Sequence, residues 1–189
     1  FRTIRRTFPM NAFSVAFLAA LAVTTALKLW LAMRQLNHVH VHRTQVPAAF
    51  ADRISSESHH KAAGYTCAKT RLGMLETLLG TAIVLVFTFG GGLQVLSDAW
   101  AGVLAFGGYG HGIALIVSVT LIASLLEMPA SLYRTFVIEE RFGFNRITPA
   151  LYAVDAAKQL LIGVALGIPL LFLVLWLMSV MGSLWWLWV

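Results

Sequence analysis

Six histidines are the side chains of this sequence best suited to binding a metal ion, and three of them, His38, His40 and His42, occupy alternate positions. On a β-strand all three would share one face, whereas on a helix only His38 and His42 would align. The zinc-protease motif HExxH needs a glutamate directly after its first histidine, and none of the six is followed by one. Because no cysteine or acidic ligand accompanies the cluster, we interpret it as part of a polar loop.

A pair of carboxylates offers a second kind of chemistry. Glu139 and Glu140 lie in the densest polar segment of the chain, residues 129–149, and paired carboxylates can perform general acid–base catalysis or bind a metal. Residues 142–145 after them predict an aromatic-anchored turn in which Gly143 adopts a positive φ. The alternative, in which these charges organise a tight connection between two helices, stays open.

The elements that position these residues belong to a membrane protein. The chain has 189 residues, of which 59% are hydrophobic and 12% charged, against about 25% charged in soluble proteins. This composition excludes a soluble globular enzyme and a disordered tail. The net charge of +6 indicates basic loops at a membrane rather than nucleic-acid binding. Cys67 is the single cysteine, so we expect a reduced residue that binds no metal.

Four apolar stretches are long enough to cross a bilayer, which needs about 20 residues in a helix. They cover residues 11–33, 72–96, 112–128 and 154–181. The glycine run at residues 90–92 is expected to be tolerated within the second span. After residue 182 the chain resumes with a Trp-rich apolar stretch, which predicts the start of a fifth helix near residue 184. The predicted fold is therefore an all-α integral membrane domain.

Charges beside the spans are expected to be paired or to reach water. Lys28 lies near the end of the first span, where its long stem can carry the ammonium group to the interface. Glu76 lies near the start of the second span. Glu127 is predicted to pair with a basic residue of the loop that follows it, and Asp155 and Lys158 are spaced to pair on one helix face.

The basic residues predict the orientation of the spans. The loops at residues 34–71 and 129–158 carry six and four Lys and Arg residues, and residues 97–111 carry none. Because cytoplasmic loops are enriched in Lys and Arg, both basic loops are predicted to be cytoplasmic. The three arginines before the first span oppose this assignment, but the two loops together carry ten Lys and Arg residues.

The polar segment after the third span resembles the signature of the integral-membrane CAAX prenyl protease family. The resemblance rests on residues 136–145 and Thr148, and it extends upstream to Lys61, Tyr65 and Lys69 in the loop after the first span. The signature positions are Glu139, Glu140, Gly143, Phe144, Asn145, Asp155 and Lys158. The resemblance implies that they buttress a catalytic domain; no catalytic, cofactor-binding or metal-binding residue carries over.

The resemblance also implies a function for residues 1–189. They would form the N-terminal membrane domain of a zinc metalloendopeptidase that acts on prenylated or membrane-associated proteins, in an ER-type or bacterial inner membrane. The HExxH region is missing from this sequence, so zinc is expected in a downstream or partner catalytic domain. The expected partners are the lipid bilayer, that domain, and protein or peptide substrates. Two alternatives remain: a non-enzymatic scaffold subunit of a membrane complex, and a small transporter, for which no internal repeat is found.

Overall fold

The computed structural model describes residues 11–46 and 52–182, and helices dominate this part of the chain. Five α-helices and one π-helical segment follow each other in the described part of the chain. They are α1 (Ala12–His42), α2 (Ser56–Thr88), α3 (Gly92–Ala101), α4 (Tyr109–Tyr133), the π segment (Arg134–Glu139) and α5 (Pro149–Met181). Within residues 11–46 and 52–182, four stretches are long and apolar enough to cross a membrane: Ala12–His42, Ser56–Thr88, Tyr109–Glu139 and Pro149–Met181. The all-α membrane fold and the four predicted spans are thus confirmed, and the fifth predicted helix lies outside the described residues.

The predicted end of the second span is wrong. Helix α2 ends at Thr88 rather than at 96, and α3 is a separate helix. Gly91 adopts a left-handed backbone with a φ of 79°, which interrupts a right-handed helix. A Cβ at Gly90 would lie 2.6 Å from the carbonyl oxygen of Val86. The glycine run therefore permits a tight helix break where an uninterrupted membrane helix was expected.

Much of the predicted basic loops is helical. Helix α1 continues to His42, α2 begins at Ser56, and the helix of the third span passes through Pro129 instead of ending before it. Local signals account for the new helix starts. The Ser55 side chain accepts a hydrogen bond from the backbone N–H of Ser58 at 3.2 Å, and Thr148 caps α5 in the same way. Apolar length predicts where a helix meets lipid, and the helices continue into polar turns beyond that point.

The chain forms two compact units. The first comprises Phe1–Gly90 and Glu127–Asn145, and the second comprises Gly91–Leu126 and Arg146–Val189. Most apolar side chains of the described residues are exposed, as expected for helices whose outer faces meet lipid.

Helices α1 and α2 of the first unit form an antiparallel hairpin. Phe17 packs against Phe89 with ring centroids 6.0 Å apart, and the side-chain oxygens of Thr25 and Thr81 are 3.0 Å apart. At the polar end, a ring nitrogen of His59 lies 3.1 Å from the carbonyl oxygen of His42. This register places position 33 level with position 73, so the predicted membrane edges at residues 33 and 72 lie at about the same height. Beyond them the hairpin projects from the apolar zone.

Polar contacts within the second unit join α3, α4 and α5. The Trp100 indole donates to the hydroxyl oxygen of Ser118 at 2.9 Å, and the hydroxyls of Tyr109 and Ser179 are 2.6 Å apart. His111 is buried, with a ring nitrogen 3.1 Å from the carbonyl oxygen of Ser97. These contacts satisfy polar groups in a mostly apolar unit.

Candidate functional site

The π segment positions the signature residues against α2. It spans Arg134–Glu139, and its Ile138 side chain is one of the few buried apolar groups, with 5% exposure. Leu72 of α2 is buried to a similar degree. π-helical turns are rare, and they occur frequently at functional sites. The unusual backbone therefore lies where the sequence resembles the family signature.

An ion pair fixes the start of the π segment to α2. The Nη2 group of Arg134 donates to both carboxylate oxygens of Glu76, and the two side chains are 38% and 29% exposed. Glu127, which was expected to pair with a basic residue of this region, forms no ion pair among the described residues. The Nε group of Arg134 is buried without an acceptor in the described part of the chain. The pair therefore compensates both charges and leaves one Arg donor unsatisfied.

A tight glycine turn follows the π segment and aims the aromatic residues. Gly143 has a φ of 70°, as its sequence context predicts. The N–H groups of Gly143 and Phe144 donate to the carbonyl oxygens of Glu140 and Glu139, at 2.9 and 2.8 Å. These two bonds are those of a Schellman motif, which caps the last carbonyls of a helix. The glycine turn thus gives the signature glutamates a structural role through their backbone.

Aromatic contacts dock the turn onto the polar half of α2. The Tyr65 ring meets Phe142 and Phe144 edge-on, at centroid distances of 5.7 and 4.8 Å. A Cβ at Gly64 would lie 3.1 Å from the Phe142 ring, so the glycine permits the close approach. The ammonium group of Lys61 lies 5.8 Å from the centroid of the Phe144 ring. We call Lys61, Tyr65, Phe142 and Phe144 the aromatic clamp.

A pocket of about 470 Å³ opens beside the aromatic clamp, in the first unit. It is lined by a residue just after α1, by the start of α2 and by the signature turn. The lining residues are Thr44, Ser56, Glu57, His60, Lys61, Arg141 and Phe142. The two predicted basic loops therefore meet at one place.

The structure brings together five of the predicted site residues and describes the other two in the second unit. The side-chain amide of Asn145 donates to the carboxylate of Glu140 at 2.9 Å. Asp155 and Lys158 pair with each other at 3.7 Å and are largely exposed, as their spacing predicts. Glu139, Gly143 and Phe144 lie in the turn described above. The contacts described for these residues join the turn to itself and to α2, and the predicted structural role stays a prediction.

The metal hypothesis for the histidines finds no ligand set. His38, His40 and His42 all lie on α1 rather than in a loop, and the rings of His38 and His42 are 4.3 Å apart. In residues 11–46 and 52–182, no three His, Cys, Asp or Glu side chains are grouped to hold a metal ion. The described residues therefore offer no ligand set for zinc, and the zinc that the family resemblance implies was expected in a downstream or partner domain.

The pairing of Glu76 with Arg134 was not predicted. The two residues are 58 positions apart, so no local spacing rule connects them. The available signal was an acid inside an apolar stretch, which favours a basic partner or access to water.

Comparison with known proteins decides the family. The model of the CAAX prenyl protease N-terminal domain, described as five membrane helices, matches residues 35–189. The chain belongs to this family. The CAAX prenyl protease 1 homolog of Caenorhabditis elegans is 29% identical over 168 residues, which is 87% of this chain and 36% of the relative. The human CAAX prenyl protease 1 homolog is 30% identical over 176 residues, covering 88% of this chain and 37% of the relative.

Solved structures show the same fold. The crystal structure of Ste24p from S. mikatae matches with a TM-score of 0.78 and 25% sequence identity, covering 89% of this chain and 40% of that one. The family membership makes the chain a multi-pass integral membrane protein of the CAAX protease N-terminal type. The chain spans little more than a third of the length of the curated relatives named above.

Proposed function

We propose that this chain is the chamber wall and helical scaffold of a zinc-dependent CAAX-type endopeptidase that acts on prenylated or membrane-associated proteins. The observation that carries the proposal is the family match over residues 35–189. HExxH is absent from the 189 residues, and the described ones offer no metal-ligand set. We therefore assign the zinc and the hydrolytic chemistry to polypeptide outside this sequence.

In this proposal the aromatic clamp has a positioning role. It ties the polar half of α2 to the signature turn through Tyr65, and the Glu76–Arg134 pair ties the next part of α2 to the π segment. Two attachments along one helix restrict both sliding and rotation of the turn. A turn held in this way can buttress a catalytic domain that rests against it.

The first test is the intact mass of the polypeptide purified from its native membrane. A mass larger than 20.7 kDa by at least one further domain, about 100 residues or more, supports the proposal. A mass near 20.7 kDa, with no partner that carries HExxH, refutes it.

The second test measures activity in the native polypeptide or complex. We expect cleavage of a farnesylated CAAX peptide in vesicles, loss of cleavage with a zinc chelator, and recovery when zinc is restored. Tyr65→Ala should lower kcat with little effect on the zinc content. The matched control is Tyr133→Ala, because Tyr133 is 51% exposed and lies outside the aromatic clamp. Equal losses in the two variants would contradict the positioning role.

We further propose that residues 34–71 and 129–158 are cytoplasmic, in an ER-type or bacterial inner membrane. Lining residues of one pocket come from both segments, which supports their placement on the same side of the membrane. The positive-inside rule supports the choice of the cytoplasmic side. The test is labelling of single cysteines at 52 and 103, in a Cys67→Ala background, with a membrane-impermeant maleimide. Labelling of position 52 from the outside would contradict the assignment.

The alternative function is that of a non-enzymatic scaffold subunit in a membrane complex. One observation favours it: Cβ atoms at Gly163 and Gly167 would meet no described atom within 4 Å, and such glycine pairs allow close helix contacts. Purification at fixed stoichiometry with other membrane proteins, without peptidase activity, would support this alternative over the first proposal.

A further inference from the structure

The pocket beside the aromatic clamp has a lining suited to an anion. Lys61 and Arg141 contribute positive charges, and Thr44 and Ser56 contribute hydroxyl groups. Charged donors of this kind make short, strong hydrogen bonds to phosphate oxygens. The Phe142 ring adds an apolar wall. At about 470 Å³, the pocket has the size of a small-molecule site.

Neither cation is neutralised by a carboxylate. The ion pairs of the described residues are Arg134–Glu76 and Lys158–Asp155, so Lys61 and Arg141 have no acidic partner within 4.0 Å there. The two cations instead lie about 5.8 Å from the ring centroids of Phe144 and Phe142. Placing two like charges on one pocket is unfavourable until an anion compensates them.

Glu57 is the opposing feature of the pocket. Its carboxylate shares the lining with both cations, and it repels any anion that binds between them. The net charge of the lining stays positive because two cations face one carboxylate. Glu57 therefore weakens anion binding without abolishing it. Removing its charge should tighten binding, whereas removing either cation should weaken it.

The distance of the pocket from the predicted membrane edge favours a soluble anion over a lipid headgroup as the ligand. Lys61 precedes Leu72, the predicted membrane edge, by eleven positions on α2, which is about 16 Å along a helix axis. The headgroup region adds only about 5–8 Å on each side of the hydrocarbon core. Even with a helix tilt of about 20° the pocket lies beyond the headgroups.

We propose that this pocket binds a phosphate group of a water-soluble ligand, held between Lys61 and Arg141. The site is independent of the peptidase proposal, since it needs neither zinc nor a protein substrate. A phosphate bridging the two cations would join the start of α2 to the signature turn. Bound ligand is therefore expected to stabilise the folded protein.

The experiment uses the full native polypeptide in nanodiscs of neutral phosphatidylcholine. Binding of inorganic phosphate and inorganic pyrophosphate is measured by calorimetry and by the shift in Tm, with ionic strength held constant by chloride. We expect saturable binding by the wild type. Lys61→Gln and Arg141→Gln should each weaken it about tenfold or more, because each removes one charge-assisted contact to the phosphate. Glu57→Gln should tighten binding several-fold.

Matched variants keep the test decisive. Lys158→Gln removes a positive charge outside the pocket and should leave the affinity unchanged. Thr44→Val keeps the side-chain shape, removes one hydroxyl and should weaken binding. It serves as the test if the Lys61 and Arg141 variants fold poorly. Equal weakening in Lys158→Gln would show non-specific attraction and overturn the proposal, as would absence of saturation or weaker binding by Glu57→Gln.

A lipid arm tests the source of the phosphate. The same titration is repeated in nanodiscs containing an anionic phospholipid. We expect unchanged affinity for inorganic phosphate, because the pocket lies above the headgroups. Competition by the lipid, abolished in Lys61→Gln and Arg141→Gln, would overturn the assignment to a soluble ligand.

Discussion

Breaking the Glu76–Arg134 pair should destabilise the first unit by an amount that depends on which of the two side chains is replaced. Glu76→Gln leaves the Arg134 guanidinium without its counter-ion and with its Nε group still buried and unsatisfied. Arg134→Met removes both the charge and the unsatisfied donor, and it leaves an unpaired carboxylate that is 29% exposed. The glutamate variant should therefore be the less stable of the two.

The magnitudes follow from the partial burial of the pair. Removal of one partner costs about 3–5 kcal/mol in a fully buried pair and about 0–1 kcal/mol in an exposed one. With exposures of 38% and 29%, we expect about 2–3 kcal/mol for Glu76→Gln. Relief of an unsatisfied donor, about 1 kcal/mol, lowers the expected cost of Arg134→Met to about 1–2 kcal/mol. The double variant should cost less than the sum, since neither charge is then stranded.

The assay is reversible unfolding of the purified native polypeptide in mixed detergent micelles, followed by circular dichroism and by proteolysis. Asp155→Asn is the matched control, because its ion pair with Lys158 is 3.7 Å long and largely exposed, and it should change the free energy of unfolding by less than about 1 kcal/mol. Additive single variants, or a larger loss for Arg134→Met than for Glu76→Gln, would refute the reasoning.

Three further changes test the fold of the first unit by the same unfolding measurement. Gly143→Ala should lower the free energy of unfolding by about 1–2 kcal/mol because its φ is 70°. The control is Gly163→Ala, in an open position of α5, which should be neutral or stabilising. Equal effects of the two changes would contradict the role of Gly143 in the turn. Tyr65→Leu should cost about 0.5–1.5 kcal/mol beyond lost area because two edge-on ring contacts disappear, and a neutral result would argue against the aromatic clamp. Thr25→Val should cost about 0.5–1.5 kcal/mol because Thr81 loses its partner across the hairpin, and an unchanged free energy of unfolding would contradict this contact.

The membrane architecture was predictable because hydrocarbon imposes its length requirement on each span separately. All four predicted spans lie at or within membrane-compatible helices, apart from the end of the second one. Helix ends were less predictable, since the polar turns of α2 before Leu72 are stabilised by Ser55 and by water rather than by lipid. The break after Thr88 depends on a left-handed backbone at Gly91, a conformation that glycine permits but does not require.

The site was predictable in its local part only. The positive φ of Gly143 and the Asp155–Lys158 pair both follow from neighbouring residues in the sequence. The contacts of Tyr65 and Glu76 depend on how α2 packs against a segment that is far away in the chain. Their residue types carry no information about partners at that separation.

Lys28 and Glu76 show why only one of two membrane charges has a protein partner. Position 28 lies five residues inside the edge at position 33, and Glu76 lies four residues inside the edge at Leu72, so both are about 6–8 Å deep. Lysine has a long flexible stem that reaches water from this depth, and Lys28 is exposed with no carboxylate within 4.0 Å in the described residues. Glutamate has a shorter stem, so its charge at this depth needs a partner or partial access to water. Arg134 meets this need. Because Arg134 lies at the start of the π segment, its ion pair with Glu76 also attaches the signature turn to α2.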